Sequence, residues 1–146
     1  VFYRDIRNPE FLFKHLASVN KDYELHLFMR ERDILVDELI QKYPSLEGKV
    51  FVSSLPHDKL LYELSRMHFL VNIENLSNTQ MPSKLIDYGM AGRPIFSCNV
   101  KTFSPEKLDS FISGDYSGKY EVDVQRYNIK HIVDEFLELY SQSNKK

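Results

Sequence analysis

Residues 80–95 have the sequence Gln80-Met81-Pro82-Ser83-Lys84-Leu85-Ile86-Asp87-Tyr88-Gly89-Met90-Ala91-Gly92-Arg93-Pro94-Ile95. Pro82 suits the first turn of a helix, and Gly92 suits a helix stop. A helix N-terminus presents unpaired N–H groups and partial positive charge, so it can hold a phosphate. Lys84 adds a full charge to the first turn, and Asp87, one turn later, can accept a hydrogen bond from a sugar hydroxyl. The stretch therefore predicts a site for a nucleotide sugar.

Length and composition set the class of protein. The 146 residues suit one domain, and 42% hydrophobic with 27% charged residues is a globular rather than a disordered balance. The formal net charge of −2 provides no overall basic field, so no nucleic-acid partner is expected. Cys98 is the only cysteine, which excludes an internal disulfide and fits a reducing cytoplasm.

Targeting signals are not visible in the sequence. No apolar run approaches the ~20 residues that span a bilayer, and no signal peptide is found. The chain opens at Val1, inside an apparent strand and without an initiating Met. We therefore expect residues 1–146 to form a single domain that belongs to a longer protein.

Short apolar runs alternate with helical patterns along the chain, which predicts βαβ units and a parallel sheet. The predicted strands are residues 1–3, 23–29, 50–53, 68–73, 94–97 and 120–122. The predicted helices begin near residues 9, 33, 56, 82, 105 and 128. The apolar face expected for the first helix consists of Phe11, Leu12, Leu16 and Val19. The pattern indicates a Rossmann-like three-layer α/β domain, with about six strands in a parallel sheet and helices on both faces.

The expected strand order brings two polar loops together. Ligands bind an open parallel sheet outside the carboxyl ends of its strands, where the strand order reverses. In a Rossmann-like order the first and fourth strands lie side by side at that point. The loops that follow them are residues 4–8 and 74–83, so both should border the same crevice.

Several motifs resemble one family. Besides the stretch at 80–95, they are the strand start Val1-Phe2-Tyr3, the helix opening Arg7-Asn8-Pro9-Glu10-Phe11-Leu12 and the strand Phe69-Leu70-Val71-Asn72-Ile73. Together they resemble the C-terminal, donor-binding half of GT-B fold glycosyltransferases, especially the large retaining group loosely called group 1. The resemblance covers nearly the whole chain. Its most specific part is Pro-Ser-Lys, an acidic residue before Tyr, and Gly-Arg-Pro-Ile.

The resemblance implies roles for the matching positions. Asp87 lies where the family places an acidic residue on the ribose hydroxyls of the nucleotide. Ser83 and Lys84 lie where first-turn N–H groups meet the diphosphate. Arg7, with Arg4 as a weaker candidate, lies where a basic residue of the first βα loop reaches that diphosphate. Arg7 and Lys84 would then act in catalysis by stabilising the departing nucleoside diphosphate, so no metal and no cofactor are expected.

Four more residues complete the expected donor site. Gln80 and Pro82 belong to the loop and helix start that face the donor. His57 follows Pro56 at a helix start, where the family tends to place contacts on the nucleobase side. Thr79 stands where the family has the first Glu of its Glu-x7-Glu signature, a residue that usually contacts the donor sugar.

These features imply the donor-binding domain of a hexosyltransferase that uses a nucleotide-diphosphate sugar. The acceptor, a glycan or a lipid-linked group, would be held by a preceding N-terminal domain, and the isolated fragment should bind nucleotide weakly without catalysing transfer. The expected location is the cytoplasm, with any peripheral contact at the inner membrane face made through the missing half. Two alternatives stay open: a degenerate GT-B module for partner binding, indicated by Thr79 and by the absence of two expected glycine-rich turns, and the donor half of a UDP-sugar epimerase.

Other residues have structural interpretations. Cys98 follows a buried strand and should be an inert, packed thiol. Arg93 should be exposed scaffold. None of the five histidines forms an i,i+4 pair, so a zinc site is not expected.

Overall fold

The computed structural model describes residues 8–75 and 84–124, which form an α/β arrangement. The helices are α1 (Glu10–Ser18), α2 (Ile34–Lys42), α3 (His57–Arg66), α4 (Lys84–Ala91) and α5 (Pro105–Ile112). The strands are β1 (Leu25–Phe28), β2 (Val50–Ser53), β3 (Leu70–Ile73) and β4 (Ile95–Cys98), and a short 3-10 helix, Pro44–Leu46, follows α2. Within the two described ranges, none of the helices has the length and apolar character that a membrane crossing requires.

Side-chain caps explain where several helices begin. The Asp33 carboxylate accepts a hydrogen bond from the Leu35 N–H at 3.0 Å, just before α2. The Ser104 hydroxyl accepts one from the Lys107 N–H at 3.2 Å, and Pro105 occupies the first position of α5. These bonds satisfy N–H groups that have no partner inside the helix. The helix start predicted near residue 105 is confirmed.

The four strands form two parallel pairs. In the first, β1 lies beside β2 with Leu25 opposite Val50, and in the second, β3 lies beside β4 with Leu70 opposite Ile95. Within the described part of the chain, the edges of β1 and β3 line a common cleft. In the predicted Rossmann-like order, the strand at residues 1–3 belongs between these two edges. Residues 1–3 lie outside the described ranges.

The prediction of about six strands is not reproduced by the described residues, which contain four. Residues 120–122, predicted as the last strand, contact β4 through a backbone hydrogen bond from the Tyr120 N–H to the Ile95 carbonyl at 2.8 Å, but are not a strand. Val122 packs against Leu64 of α3 and against Leu70 and Ile95 of the strands, and it lies beside Gly89 of α4. The segment therefore turns from the sheet edge to the helices. The helix predicted near residue 128 lies outside the described residues.

Two apolar cores lie on opposite faces of the strands. The large core receives buried residues from α1, α2, α5 and β4: Leu12, Phe13, Leu16, Leu35, Val36, Leu39, Leu46, Phe96, Cys98, Leu108 and Phe111. The small core contains Leu64, Leu70 and Ile95, with Leu60, Tyr88 and Ala91 packed against them. Neighbouring residues of a strand point to opposite faces. Helices therefore lie against both faces of the β3–β4 pair.

Glycines fix both the end and the surroundings of α4. Gly92 has a φ of 66°, which lets the chain leave the helix after Ala91, as the sequence predicts for a glycine stop. Gly89 lies inside the helix, where an added Cβ would come within 2.5 Å of Val124 Cγ2. The absence of a side chain at Gly89 thus lets residues 122–124 lie directly on α4.

Candidate functional site

Two helix starts meet at the site. α3 begins after β2 and α4 begins after β3, so both helices start on the side of the carboxyl ends of their strands. Leu60 and Leu64 of α3 share the small core with Tyr88 and Ala91 of α4, which holds the two helices side by side. The N-terminal turns of the helices therefore lie at the rim where parallel sheets bind ligands.

His57 and Asp87 are in contact across these helices. His57 Nε2 lies 3.0 Å from Asp87 Oδ1, and Lys84 stands one turn before Asp87 at the start of α4. The Asp87 side chain is 29% exposed and that of His57 is 66% exposed, so solvent reaches both. The arrangement presents an imidazole and a partly exposed carboxylate on one surface, next to an exposed lysine.

Tyr88 attaches α4 to β3. Its hydroxyl donates to the Val71 carbonyl at 3.4 Å. Burial, with a further contribution from the charge of Asp87, raises the pKa of the Tyr88 hydroxyl. The hydroxyl therefore stays a neutral donor, and the bond fixes the turn that carries Asp87 relative to the strand.

The structure covers three of the predicted site residues. His57, Lys84 and Asp87 are described, and His57 is brought into contact with Asp87, although the sequence separates them by 30 positions. The other predicted site residues lie outside the described ranges: Arg4, Arg7, Thr79, Gln80, Pro82 and Ser83. Their roles stay predictions.

The structure contains a hydrogen-bonded row of side chains that was not predicted from the sequence. This row, which we call the polar ladder, lies at the ends of β3 and β4 and consists of Asn72, Ser97, Glu74 and Asn99. Asn72 Nδ2 donates to Ser97 Oγ at 2.8 Å, and Ser97 Oγ donates to Glu74 Oε1 at 2.7 Å. Asn99 Nδ2 donates to Glu74 Oε2 at 3.3 Å. The available signal was the polar residue at every second position where two successive strands end.

Arg93 is half-buried, so the expectation of an exposed residue is wrong. Its Nη2 donates to the His68 carbonyl at 3.4 Å. Both residues precede their strands, β4 and β3, and so lie at the amino ends, away from the first turn of α4. The guanidinium ties the two strand starts together.

No group of three His, Cys, Asp or Glu side chains suited to a metal ion occurs in residues 8–75 and 84–124. The described site offers one imidazole, one lysine and carboxylates. These groups suit a ligand that carries both anionic and hydroxyl groups.

Cys98 is buried, as predicted, and its surroundings suppress its reactivity. Burial, and secondarily the charge of Glu74, raises the pKa of the thiol from an ordinary value of 9.0 to about 12. At pH 8 this higher pKa should lower the thiolate fraction about a thousandfold. Because the thiolate is the nucleophile, the reactivity of Cys98 should fall with it.

We expect iodoacetamide to modify Cys98 at least about a hundredfold more slowly in the folded chain than in denaturant, as followed by mass spectrometry. Equal rates in the two states would contradict this.

Comparison with known proteins found no matching family model, no similar curated protein and no similar solved structure. The resemblance to GT-B glycosyltransferases therefore rests on the sequence motifs alone.

Proposed function

We propose that this domain binds a nucleotide-diphosphate sugar, as the donor-binding half of a GT-B fold glycosyltransferase. The observation that carries the proposal is the 3.0 Å contact between His57 Nε2 and Asp87 Oδ1. The resemblance to the family implies a nucleobase-side role for His57 and a ribose role for Asp87. Base and ribose are covalently joined, so these two roles require neighbouring side chains, and the contact supports them.

The proposed roles follow from the chemistry of each group. Asp87 Oδ1 is occupied by His57, which leaves Oδ2 as an acceptor for a ribose hydroxyl. Lys84 supplies a positive charge for the diphosphate, and the first N–H groups of its helix add partial charge. The proposal assigns the remaining donor contacts to Arg4, Arg7, Thr79, Gln80, Pro82 and Ser83.

In the parent enzyme, Lys84 and Arg7 would stabilise the nucleoside diphosphate as it leaves, without a metal ion. The sugar would pass to a glycan or lipid-linked acceptor held by a second, N-terminal domain in the cytoplasm. The proposal keeps a Rossmann-like strand order, in which the strand predicted at residues 1–3 lies between β1 and β3. Since it depends on two domains, the present chain should bind donor without turning it over.

Isothermal titration calorimetry with UDP, GDP and ADP tests the proposal. We expect at least one of these to bind with a dissociation constant on the order of 1 mM or below. The Asp87→Asn variant should bind that nucleotide about threefold to tenfold more weakly, because an amide replaces one acceptor oxygen and the charge is lost.

The matched control is Asp22→Asn, since Asp22 is an exposed aspartate that precedes β1 and lies at the opposite rim. The Asp22→Asn variant should bind the nucleotide with the same affinity as the unchanged chain. If none of the three nucleotides binds at millimolar concentration, the domain is not a donor site, and the degenerate, partner-binding alternative takes its place.

A further inference from the structure

The polar ladder lies on the same face of the strands as α4. Leu70 and Ile95 face the small core, to which α4 contributes Tyr88 and Ala91. Residues two apart on a strand share a face, so Asn72 follows Leu70 and Ser97 follows Ile95 on that side. The strand register pairs Asn72 directly with Ser97. The face is thus apolar at its amino end and polar towards its carboxyl end.

The ladder also reaches the level of the first turn of α4. The helix runs back from the carboxyl end of β3 to the amino end of β4, which is parallel to β3. Lys84 therefore stands about 10 Å above Ala91 at 1.5 Å per residue. Glu74 stands about 13 Å above Leu70 at 3.3 Å per residue in the same direction. Since Leu70 and Ala91 both belong to the small core, Glu74 and Lys84 end at a similar height on one face.

The hydrogen bonds of the ladder converge on Glu74. Asn72 donates to Ser97, Ser97 donates to Glu74 Oε1, and Asn99 donates to Glu74 Oε2. An ionised carboxylate has about four lone-pair sites and no donor, so about two acceptor sites remain. The successive hydrogen bonds from Asn72 to Ser97 and from Ser97 to Glu74 polarise and strengthen each other, and they hold the carboxylate in place. Glu74 is partly exposed, so a ligand can reach it.

The chemistry at Glu74 favours one part of a nucleotide-sugar ligand. A carboxylate repels phosphate, but accepts hydrogen bonds from neutral hydroxyl groups. The positive charge of Lys84 attracts phosphate at the same height. A ligand whose phosphates lie at Lys84 therefore meets Glu74 with its hydroxylated, uncharged part.

We propose that Glu74 accepts hydrogen bonds from the hydroxyl groups of the donor sugar. This inference rests on the proposed function and deepens it. Thr79, at the position where the resembled family has a sugar-contacting Glu, cannot act as a carboxylate acceptor. Glu74, positioned by Ser97 and Asn99, supplies an acceptor of that kind from the end of β3.

The test compares sugar recognition with nucleotide recognition. Calorimetry measures the affinities of UDP and UDP-glucose, GDP and GDP-mannose, and ADP and ADP-glucose, and the ratio of sugar-bearing to bare nucleotide is taken for the pair that binds best. In Glu74→Gln this ratio should fall about fivefold to tenfold, because one acceptor oxygen becomes a donor. The affinity for the bare nucleotide should stay within about twofold.

Two further variants provide a second test and a control. Glu74→Asp retains the charge but withdraws the carboxylate by one methylene, and should also lower the ratio, which provides a second measurement if Glu74→Gln folds poorly. Glu47→Gln changes an exposed glutamate after the 3-10 helix and should leave the ratio unchanged. If bare nucleotide binds but both Glu74 variants keep the original ratio, the inference is wrong and the proposed function stands. If no bare nucleotide binds, both fail.

Discussion

Replacing Phe96 with alanine should lower the free energy of unfolding by about 3–5 kcal/mol, the usual cost of removing a buried aromatic side chain. Phe96 is 1% exposed in the large core. Its ring lies edge-on to Phe111, at 5.4 Å between centroids, and to Phe103, at 6.3 Å. Alanine would leave a cavity that α5, already packed on β4, can close only in part. Urea unfolding followed by circular dichroism measures the change.

Phe51 provides the matched control, because it is the same residue type on a strand but is 43% exposed. Phe51→Ala removes a ring that stacks on His26 at 5.2 Å, with half of its surface already in water. We expect a loss below about 1.5 kcal/mol for this variant. Equal losses for the two variants would show that Phe96 is not part of the central packing of the domain.

Replacing Lys84 with alanine should weaken the binding of nucleoside diphosphates about 10- to 100-fold, since a hydrogen bond to a charged group contributes about 1.5–3 kcal/mol. The reason is the loss of a full positive charge at the N-terminus of α4, where the diphosphate is proposed to lie. Lys84 is exposed, so the free energy of unfolding should change by no more than about 0.5 kcal/mol. Calorimetry with UDP, GDP and ADP measures the affinity.

The same variant separates phosphate recognition from nucleoside recognition. Uridine, guanosine and adenosine lack phosphates, so their affinities should not depend on Lys84. Lys14→Ala is the control for a general charge effect, because Lys14 is an exposed lysine on α1, which packs in the large core. A similar loss in Lys14→Ala, or for the nucleosides, would refute a direct role of Lys84 at the diphosphate.

Local signals account for the parts of the fold that were predicted correctly. Ser104-Pro105 marks the start of α5 and Gly92 the end of α4, because capping and positive φ depend on residues next to each other. The apolar face expected for α1 omitted Phe13, which is fully buried at 0% exposure. Its burial depends on packing in the large core, with residues of α2 and α5, that helical spacing alone does not reveal. Residues 120–122 have strand-like composition, but Val122 packs against Leu64 of α3 and lies beside Gly89 of α4, contacts that depend on tertiary packing.

In the candidate site, too, the sequence predicts what depends on neighbouring positions and misses what depends on packing. Lys84 and Asp87 were predicted because both lie on one helix, three positions apart. The contact between His57 and Asp87 was not predicted, because it depends on how α3 packs on α4. Polar residues at alternate positions signal the polar ladder, but its bonds join residues 23–25 positions apart, through the register of β3 with β4, so the sequence does not show which residues pair. A one-residue shift of that register would place Ser97 on a different partner.

The attachment of α4 has a thermodynamic consequence. Tyr88 bonds the helix to β3, Leu85 is 3% exposed, and Val122 and Val124 press against Gly89 from outside. A helix held from three directions has its ligand-bound geometry before the ligand binds, so it is preorganised. Little entropy should then be lost in arranging Asp87, and the heat capacity change on association should reflect the contact area alone, without a contribution from coupled ordering of the helix.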